Sequence, residues 1–250
     1  MRTNIVITMA GKGSRFKEVG YTMPKYEIVA HDIFLFDWSI KSLSNFLLEK
    51  YTLIFICLKS NKSESFLTKR CEELGISSFH IIELDEISDG QATSAYNAQT
   101  KWNPEMPLLI YNIDTYVNPF YLDPKFIKEG SDGWIPCFNA KGDHWSFVEI
   151  DNKGWAKTVK EKKRISNHAS IGLYWFKSAR FFEEIYLEFF QLKKNMVNGE
   201  KYIAPMYQHI IDENMKVSIS SIPLNSVHVL GTPEELDTFI KLNKKDIEFN

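Results

Sequence analysis

No stretch of the chain approaches the ~18 consecutive apolar residues that a membrane-spanning helix requires. The amino terminus lacks the charged region and apolar core of a secretory signal. Both absences lead to the expectation of a cytoplasmic protein without a membrane span. Cysteine is scarce: Cys57, Cys71 and Cys137 are an odd number without metal-ligand spacing, which favours buried reduced thiols over a disulfide framework or zinc site. Charge of one sign is lacking too. A net charge of -2 with no basic tail or stripe leaves no electrostatic footprint for a nucleic-acid backbone. Linkers, low-complexity stretches and internal repeats are absent, so the 250 residues, 44% of them hydrophobic, are expected to form one domain over 1–250.

What is present begins with the run Asn4-Ile5-Val6-Ile7-Thr8, which ends in Met9-Ala10-Gly11-Lys12-Gly13-Ser14-Arg15-Phe16 and is followed by Met23-Pro24-Lys25. A short β-branched run stopping at a glycine-rich, cationic turn reads as a buried strand with a phosphate cradle at its carboxyl end, where open α/β sheets bind ligands. Gly11 and Gly13 can take positive φ and bring backbone N–H groups up to phosphate oxygens. Arg15 offers a forked, permanent cation and Lys25 a second one. Three better-known loops are excluded. A Walker A loop would set Lys and Ser or Thr directly after its second glycine, and the dinucleotide fingerprint needs a third glycine where Phe16 stands. A protein kinase would show its catalytic-loop and Asp-Phe-Gly motifs, which are missing.

The rest of the first half alternates strands and helices. Glu27-Ile28-Val29 is a candidate strand, and Phe36, Ile40, Leu43 and Leu47 recur at helical spacing. Tyr51 to Leu58 reads as a strand, Ser63 to Leu74 as a helix that Gly75 ends, and His80 to Glu83 as a strand. The acidic loop from Asp85 to Asp89 leads to Gly90-Gln91-Ala92-Thr93-Ser94-Ala95, a tight turn entering a helix. Leu108 to Asn112 is a buried strand, and Asp114 just past its end is placed to hold Mg²⁺ while the metal keeps waters and takes phosphate oxygens. This alternation argues for a mostly parallel, doubly wound sheet.

The second half differs. Trp134, Trp145, Trp155 and Trp175 fall among short strands at Gly133 to Phe138, Ser146 to Ile150 and Ala156 to Lys160, separated by Lys141-Gly142-Asp143 and Asp151-Asn152-Lys153-Gly154 turns. This half reads as an antiparallel addition to the first sheet. Phe182, Ile185, Phe189 and Leu192 mark one helix, and Ile203 to Asn214 another, with Tyr202 and Tyr207 taken as core aromatics. Val217 to Pro223 and Ser226 to Leu230 are late strands. Thr232 as N-cap, Pro233 and Glu235 then start a helix with Leu236, Phe239 and Ile240 on its buried face.

Taken together, Ala10-Gly11-Lys12-Gly13-Ser14-Arg15-Phe16 and Pro24-Lys25 resemble the signature of the sugar-phosphate nucleotidylyltransferases, a pyrophosphorylase-like family that activates phosphorylated small molecules with a nucleoside triphosphate. Gly231-Thr232-Pro233-Glu234-Glu235-Leu236 is similar to a late segment of the same family, so the resemblance covers nearly the whole chain. It implies an α/β fold with a Rossmann-like doubly wound mixed sheet, the GT-A-like nucleotidyltransferase fold, with a nucleotide-binding half over 1–118 and an acceptor-side half over 119–250. It implies that Ala10, Gly11, Lys12, Gly13 and Ser14 hold the nucleotide's phosphates and that Gly90 and Gln91 contact its base. Glu161, Lys162 and Gly172 would line the acceptor pocket, with Lys162 on the acceptor's phosphate. Asp114 matches the family's metal-binding aspartate. At one point the sequence departs from the pattern: many members carry an acidic metal ligand two residues before this glycine, and here that residue is Val229. Either Asp114 holds the metal with few other protein ligands, or another acid such as Asp89 contributes. The neighbouring His228 reads as a structural histidine.

The implied reaction is in-line attack of an acceptor phosphate oxygen on the α-phosphorus of a nucleoside triphosphate, releasing pyrophosphate, with Mg²⁺ as cofactor. Arg15 would stabilise charge on the phosphates, and Lys25 would bridge the α-phosphate and the attacking group. In overall pattern the chain is most similar to small CTP-dependent members that make CDP-linked non-sugar modifiers of bacterial capsules, which favours CTP and phosphoglutamine in capsule phosphoramidate biosynthesis. A sugar 1-phosphate with dTTP or UTP, phosphocholine with CTP, and a non-catalytic nucleotide-binding regulatory subunit stay open, as does a homodimer. A glycosyltransferase of the related nucleotide-sugar fold would usually show Asp-x-Asp where Tyr116 holds the second position.

Overall fold

The computed structural model describes residues 2–249. Its main sheet has ten strands: β1 (Thr3–Thr8), β2 (Tyr51–Leu58), β3 (Phe79–Leu84), β4 (Leu108–Asn112), β5 (Gly133–Phe138), β6 (Ser146–Ile150), β7 (Ala156–Glu161), β8 (Ala169–Ser170), β9 (Leu173–Phe176) and β10 (Val217–Ile222). The spatial order is β7-β6-β8-β5-β9-β4-β1-β2-β3, with β10 on the other edge of β5. β4, β1, β2 and β3 run parallel, each returning over a helical or irregular crossover. Their carboxyl ends share one edge.

The central strands are buried on both faces, and their side chains alternate between two cores. Ile5, Ile7, Leu53 and Phe55 face one cluster, where Phe36 and Ile40 of the Leu35–Ser42 helix and Leu67 of the Glu64–Glu73 helix cover the sheet. Val6, Ile54, Ile56 and Ile110 face the other, covered by Ala92 and Ala95 of the Gln91–Tyr96 helix, Phe182 and Ile185 of the Ala179–Phe189 helix, and Met206 and Tyr207 of the Ala204–Asp212 helix. Cys57, Cys71 and Cys137 are buried free thiols whose pKa values burial pushes up. Among the described residues no helix is long and apolar enough to cross a membrane.

Three expectations need correction. The second-half strands are not all antiparallel: β10 runs parallel to β5, because the two helices Ala179–Phe189 and Ala204–Asp212 carry the chain back across the sheet before it pairs. The helix expected through Leu47 breaks after Ser42, with a short turn at Ser44–Leu47. Glu27 lies in a 3₁₀ turn, Lys25–Glu27, and only Val29–Ala30 pairs, in a small hairpin with Ile33–Phe34.

A third apolar cluster ties the two ends of the chain together. Phe16 of the first loop packs with Trp38, Tyr116, Leu230, Leu236 and Phe239. Tyr116 belongs to a two-stranded ribbon, Thr115–Val117 against Val227–Val229, that stands beyond the end of β4. On that ribbon His228 stacks on Tyr116 at 5.8 Å and contacts Phe239, and its Nε2 is buried without a hydrogen-bond partner. Burial pushes the imidazole pKa from its ordinary 6.5 down to about 4. The native state therefore refuses a proton that the unfolded chain accepts as pH falls below 6.5. Stability contributed by neutral His228 is full above that pH and is lost towards pH 4. Replacing His228 with Phe should flatten this acid limb, sparing on the order of 2 kcal/mol of the loss seen in wild type in urea denaturation at pH 4.5 against pH 7. Identical losses in the two proteins would contradict the assignment of a buried, neutral imidazole.

Candidate nucleotide and acceptor site

The cleft opens where β1 and β4 end side by side. Thr8 and Asn112 are register partners at that edge, and both side chains are engaged with Gln91 from the amino end of the Gln91–Tyr96 helix. The Gln91 amide donates to Thr8 Oγ1 at 3.1 Å and to Asn112 Oδ1. Asn112 in turn lies against Gly172, where the chain jumps from β8 to β9 with φ of +81°; a Cβ there would lie 2.3 Å from Asn112 Nδ2. Only glycine fits both the left-handed backbone and the amide. The cleft measures about 520 Å³ and is lined by Thr8 to Lys12, Lys25, Ser88, Gly90, Gln91, Asn112 to Asp114, Glu200 and Tyr202, with Ile87 and Ser94 completing one wall.

The glycine-rich loop forms one lip. Gly13 alone of its two glycines is left-handed, and its carbonyl accepts the Phe16 and Lys17 N–H groups to start the short Ser14–Glu18 helix. Phe16 is buried and pins the loop to the third cluster. A smaller adjoining cavity of about 250 Å³ lies under the loop, with Gly11, Lys12, Gly13, Lys17, Lys25 and Asn61 around it. Three lysines thus line it, and Lys17 is one that no motif singles out. Arg15 and Ser14 are exposed at the rim and line neither cavity.

Lys25 is held firmly. Pro24 opens the 3₁₀ turn, and the next residue, Tyr26, is buried with its hydroxyl bonded to Ser63 and Asn61. Burial pushes this phenol up to about 12, so it stays a neutral anchor. From this turn Lys25 Nζ reaches Asp114 Oδ2 at 2.5 Å, the two side chains being 20% and 26% exposed. Asp114 is fixed by its own backbone: its carbonyl accepts the Leu230 N–H at 2.8 Å.

The strand that meets Asp114 also explains Val229. In the ribbon Val229 sits opposite Thr115, and its side chain packs on the apolar core. The carboxylate brought near Asp114 is instead Glu235. A Cβ on Gly231 would lie 3.2 Å from Asp114 Oδ2 and 3.5 Å from Glu235 Oε2, so the glycine leaves the two acids facing one gap. Glu235 Oε2 accepts the Gly231 N–H at 3.0 Å while Thr232 caps the Glu235 N–H, a reciprocal capping arrangement. Asp89 is not near this gap. It pairs with Lys201 Nζ at 2.9 Å and accepts from Thr93.

Gly90 faces a different constraint from base contact alone. The Lys201 N–H donates to the Asp89 carbonyl at 2.7 Å and the Lys201 carbonyl accepts the Ala92 N–H at 3.0 Å, so the backbone of residue 201 passes directly over Gly90. A Cβ on Gly90 would lie 2.4 Å from the Lys201 carbonyl oxygen. Glu161 and Lys162 do not line the cleft themselves; Lys162 meets it through Tyr202. Glu161 accepts from the Ser146 hydroxyl, and burial raises its pKa against the lowering effect of Ser146 and Lys162. Lys162 is left-handed at φ of +52°, and its ammonium reaches across to the Tyr202 hydroxyl, which raises its pKa.

An open α/β sheet that presents a glycine-rich cationic loop and a lysine–aspartate pair around one cleft has the architecture of a nucleotidyltransferase. The chain belongs to the sugar-phosphate nucleotidylyltransferase family: it aligns over 95% of its length with 100% of the nucleoside-diphosphate-sugar pyrophosphorylase from Vibrio cholerae RC9, at 30% identity and a TM-score of 0.87. The inositol-1-phosphate CTP transferase from T. maritima shares the fold at 16% identity and a TM-score of 0.72, over 97% of this chain and 92% of the other. A putative glucose-1-phosphate thymidylyltransferase from Bacillus anthracis does so at 14% identity and 0.77, over 99% and 96%. No protein-family model matches the sequence, and no curated protein does.

The Asn112–Gly172 contact gives a direct test of how the cleft floor is held. Gly172→Ala must either leave its left-handed backbone or displace Asn112 and with it Gln91. It should cost roughly 2–4 kcal/mol in chemical denaturation. Unchanged stability would show that the floor is looser than these contacts require.

Proposed function

We propose that the chain catalyses Mg²⁺-dependent transfer of a nucleoside monophosphate from a nucleoside triphosphate to a phosphorylated small molecule, with CTP and phosphoglutamine as the favoured pair. The observation that carries this reading is the Lys25–Asp114 pair, set 2.5 Å apart in a cleft whose adjoining wall is the Gly11–Gly13 loop with Lys12 and Lys17. A cation and an anion that hold each other in the open cleft are set to exchange partners when a polyphosphate arrives.

In the reaction an oxygen of the acceptor's phosphate forms a bond to the α-phosphorus while the bond from that phosphorus to the bridging oxygen breaks, and pyrophosphate leaves with the electron pair. No covalent enzyme intermediate is needed, so positioning and charge neutralisation supply the acceleration. Lys25 turns from Asp114 to the α-phosphate and the attacking oxygen. The Gly11 to Gly13 backbone, with Ala10 and Ser14 beside it, and Lys12 hold the departing phosphates. Arg15 closes over them from the exposed rim. Gly90 and Gln91 face the base, Gln91 with its amide already oriented by Thr8 and Asn112. Lys162 takes the acceptor's phosphate, with Glu161 and Gly172 on the pocket wall.

Among the described residues no three metal-binding side chains gather that could hold an ion on their own. The donors that are present suit Mg²⁺ nonetheless. Asp114 and Glu235 are hard oxygen ligands at one gap, and Mg²⁺ ordinarily combines one or two carboxylates with phosphate oxygens and water. Bound there, the ion would neutralise charge on the triphosphate. The same arrangement accounts for an acid missing at Val229 without loss of a second carboxylate.

The nucleotide half over 1–118 thus meets an acceptor half over 119–250 in a single unit. Release of pyrophosphate from CTP, UTP, dTTP, ATP and GTP, each with phosphoglutamine, phosphocholine and sugar 1-phosphates, decides the substrate pair; turnover is expected with CTP and phosphoglutamine. Arg15→Ala or Lys25→Ala should lower that turnover by roughly 10²-fold or more, the scale of losing one preorganised charge stabiliser. Near wild-type rates in both variants would overturn the mechanism.

A further inference from the structure

The segment between the Ala179–Phe189 and Ala204–Asp212 helices returns to the cleft and delivers two side chains to it, Glu200 and Tyr202. Its backbone is fixed by the two hydrogen bonds of Lys201 to Asp89 and Ala92, so residues 200 and 202 on either side of it are held at the cleft's mouth. Lys162, just past the end of β7, reaches this segment, its own N–H tied to the Trp145 carbonyl at 2.9 Å. The Lys162 ammonium donates to the Tyr202 hydroxyl and lies 4.5 Å from the centroid of the Tyr202 ring. Glu200 lines the same cleft two residues before Tyr202, and burial, with the Glu200 carboxylate beside it, raises the Tyr202 pKa. One ammonium group is therefore held by an aromatic ring, a phenolic oxygen and a nearby carboxylate, the surroundings that select a cationic nitrogen.

A carboxylate at this place is at odds with the rest of the cleft. Two anionic substrates have to meet there, and Glu200 repels both unless a positive group stands beside it. At present that group is Lys162. On the reading that Lys162 binds the acceptor's phosphate, its ammonium must leave Tyr202 when the acceptor arrives, and the ring and carboxylate are then left without a cation.

We propose that Tyr202 and Glu200 form a subsite for an ammonium group of the acceptor, which Lys162 fills until the acceptor's phosphate draws it away. The proposal rests on the phosphate role of Lys162 given above, and it narrows the acceptor to a phosphorylated molecule that also carries a protonated amine or quaternary ammonium. Tyr202 supplies the ring face and Glu200 the countercharge. A sugar phosphate without an ammonium group would leave Glu200 facing the phosphates without a cation.

The test compares two ligands that differ in one group, phosphoethanolamine and 2-hydroxyethyl phosphate, binding to the full chain by calorimetry. Wild type should bind phosphoethanolamine roughly tenfold or more tightly than the hydroxyl analogue. Glu200→Gln and Tyr202→Leu should each erase most of that preference without weakening the binding of 2-hydroxyethyl phosphate. Both positions lie at the surface of the cleft, so neither variant removes core packing. Equal affinities in wild type would overturn the subsite, as would a preference that survives both substitutions. Lys162→Ala reports separately on the underlying reading: it should weaken both ligands alike, and unchanged binding of both would overturn the phosphate role of Lys162 instead.

Discussion

A single contact, Lys25 to Asp114, joins the 3₁₀ turn that follows the glycine-rich loop to the end of β4, on which the site is built. The residues are 89 positions apart in sequence and 2.5 Å apart in space. Holding opposite charges at that separation in a cleft about one-quarter exposed demands rigid supports on both sides. The lysine side is supported by Pro24 and the buried Tyr26, and the aspartate side by β4 and the hydrogen bond from Leu230. A single, partly exposed pair of this kind contributes only modestly to stability. Each charge keeps the other from facing the cleft unpaired, and in the proposed reaction a triphosphate would offer both of them new partners.

The supports of that contact come from distant parts of the chain and are joined by the cluster around Phe16, Trp38, Tyr116, Leu236 and Phe239. The motif at the beginning and the motif near the end are thereby one structural feature. Phe16 fixes the glycine-rich loop on the face of the last well-packed helix, and the start of that same helix presents Gly231 and Glu235 beside Asp114.

Much of this was legible in the sequence, and the exceptions have specific causes. The strand before the glycine-rich loop, the buried strand before Asp114, and the capped start at Thr232 were readable because each rests on local chemistry: β-branched runs, left-handed glycine and N-cap spacing. Tyr202 was misread as a core aromatic because it adjoins a helix whose Tyr207 is indeed fully buried; the helix starts two residues later, at Ala204, and leaves Tyr202 in the cleft. Glu200 carried no motif, and its position depends on the backbone pairing of Lys201 with Asp89 and Ala92, a contact between distant segments. Glu235 was recognised as a capping residue, but its proximity to Asp114 depends on pairing of the ribbon strand that ends in Val229. The signal available was the acid missing at Val229, which called for another carboxylate nearby. The parallel course of β10 was likewise hidden, since strand direction follows from the crossover that precedes it.

The central claim is the identity of the bond that breaks. Phosphorus NMR of a reaction containing CTP, Mg²⁺ and phosphoglutamine follows every phosphorus at once. The account predicts loss of the three triphosphate signals with appearance of pyrophosphate and of a new CMP-linked phosphoanhydride in equal amounts. Accumulation of a nucleoside diphosphate with inorganic phosphate, and no nucleotidyl product, would contradict it.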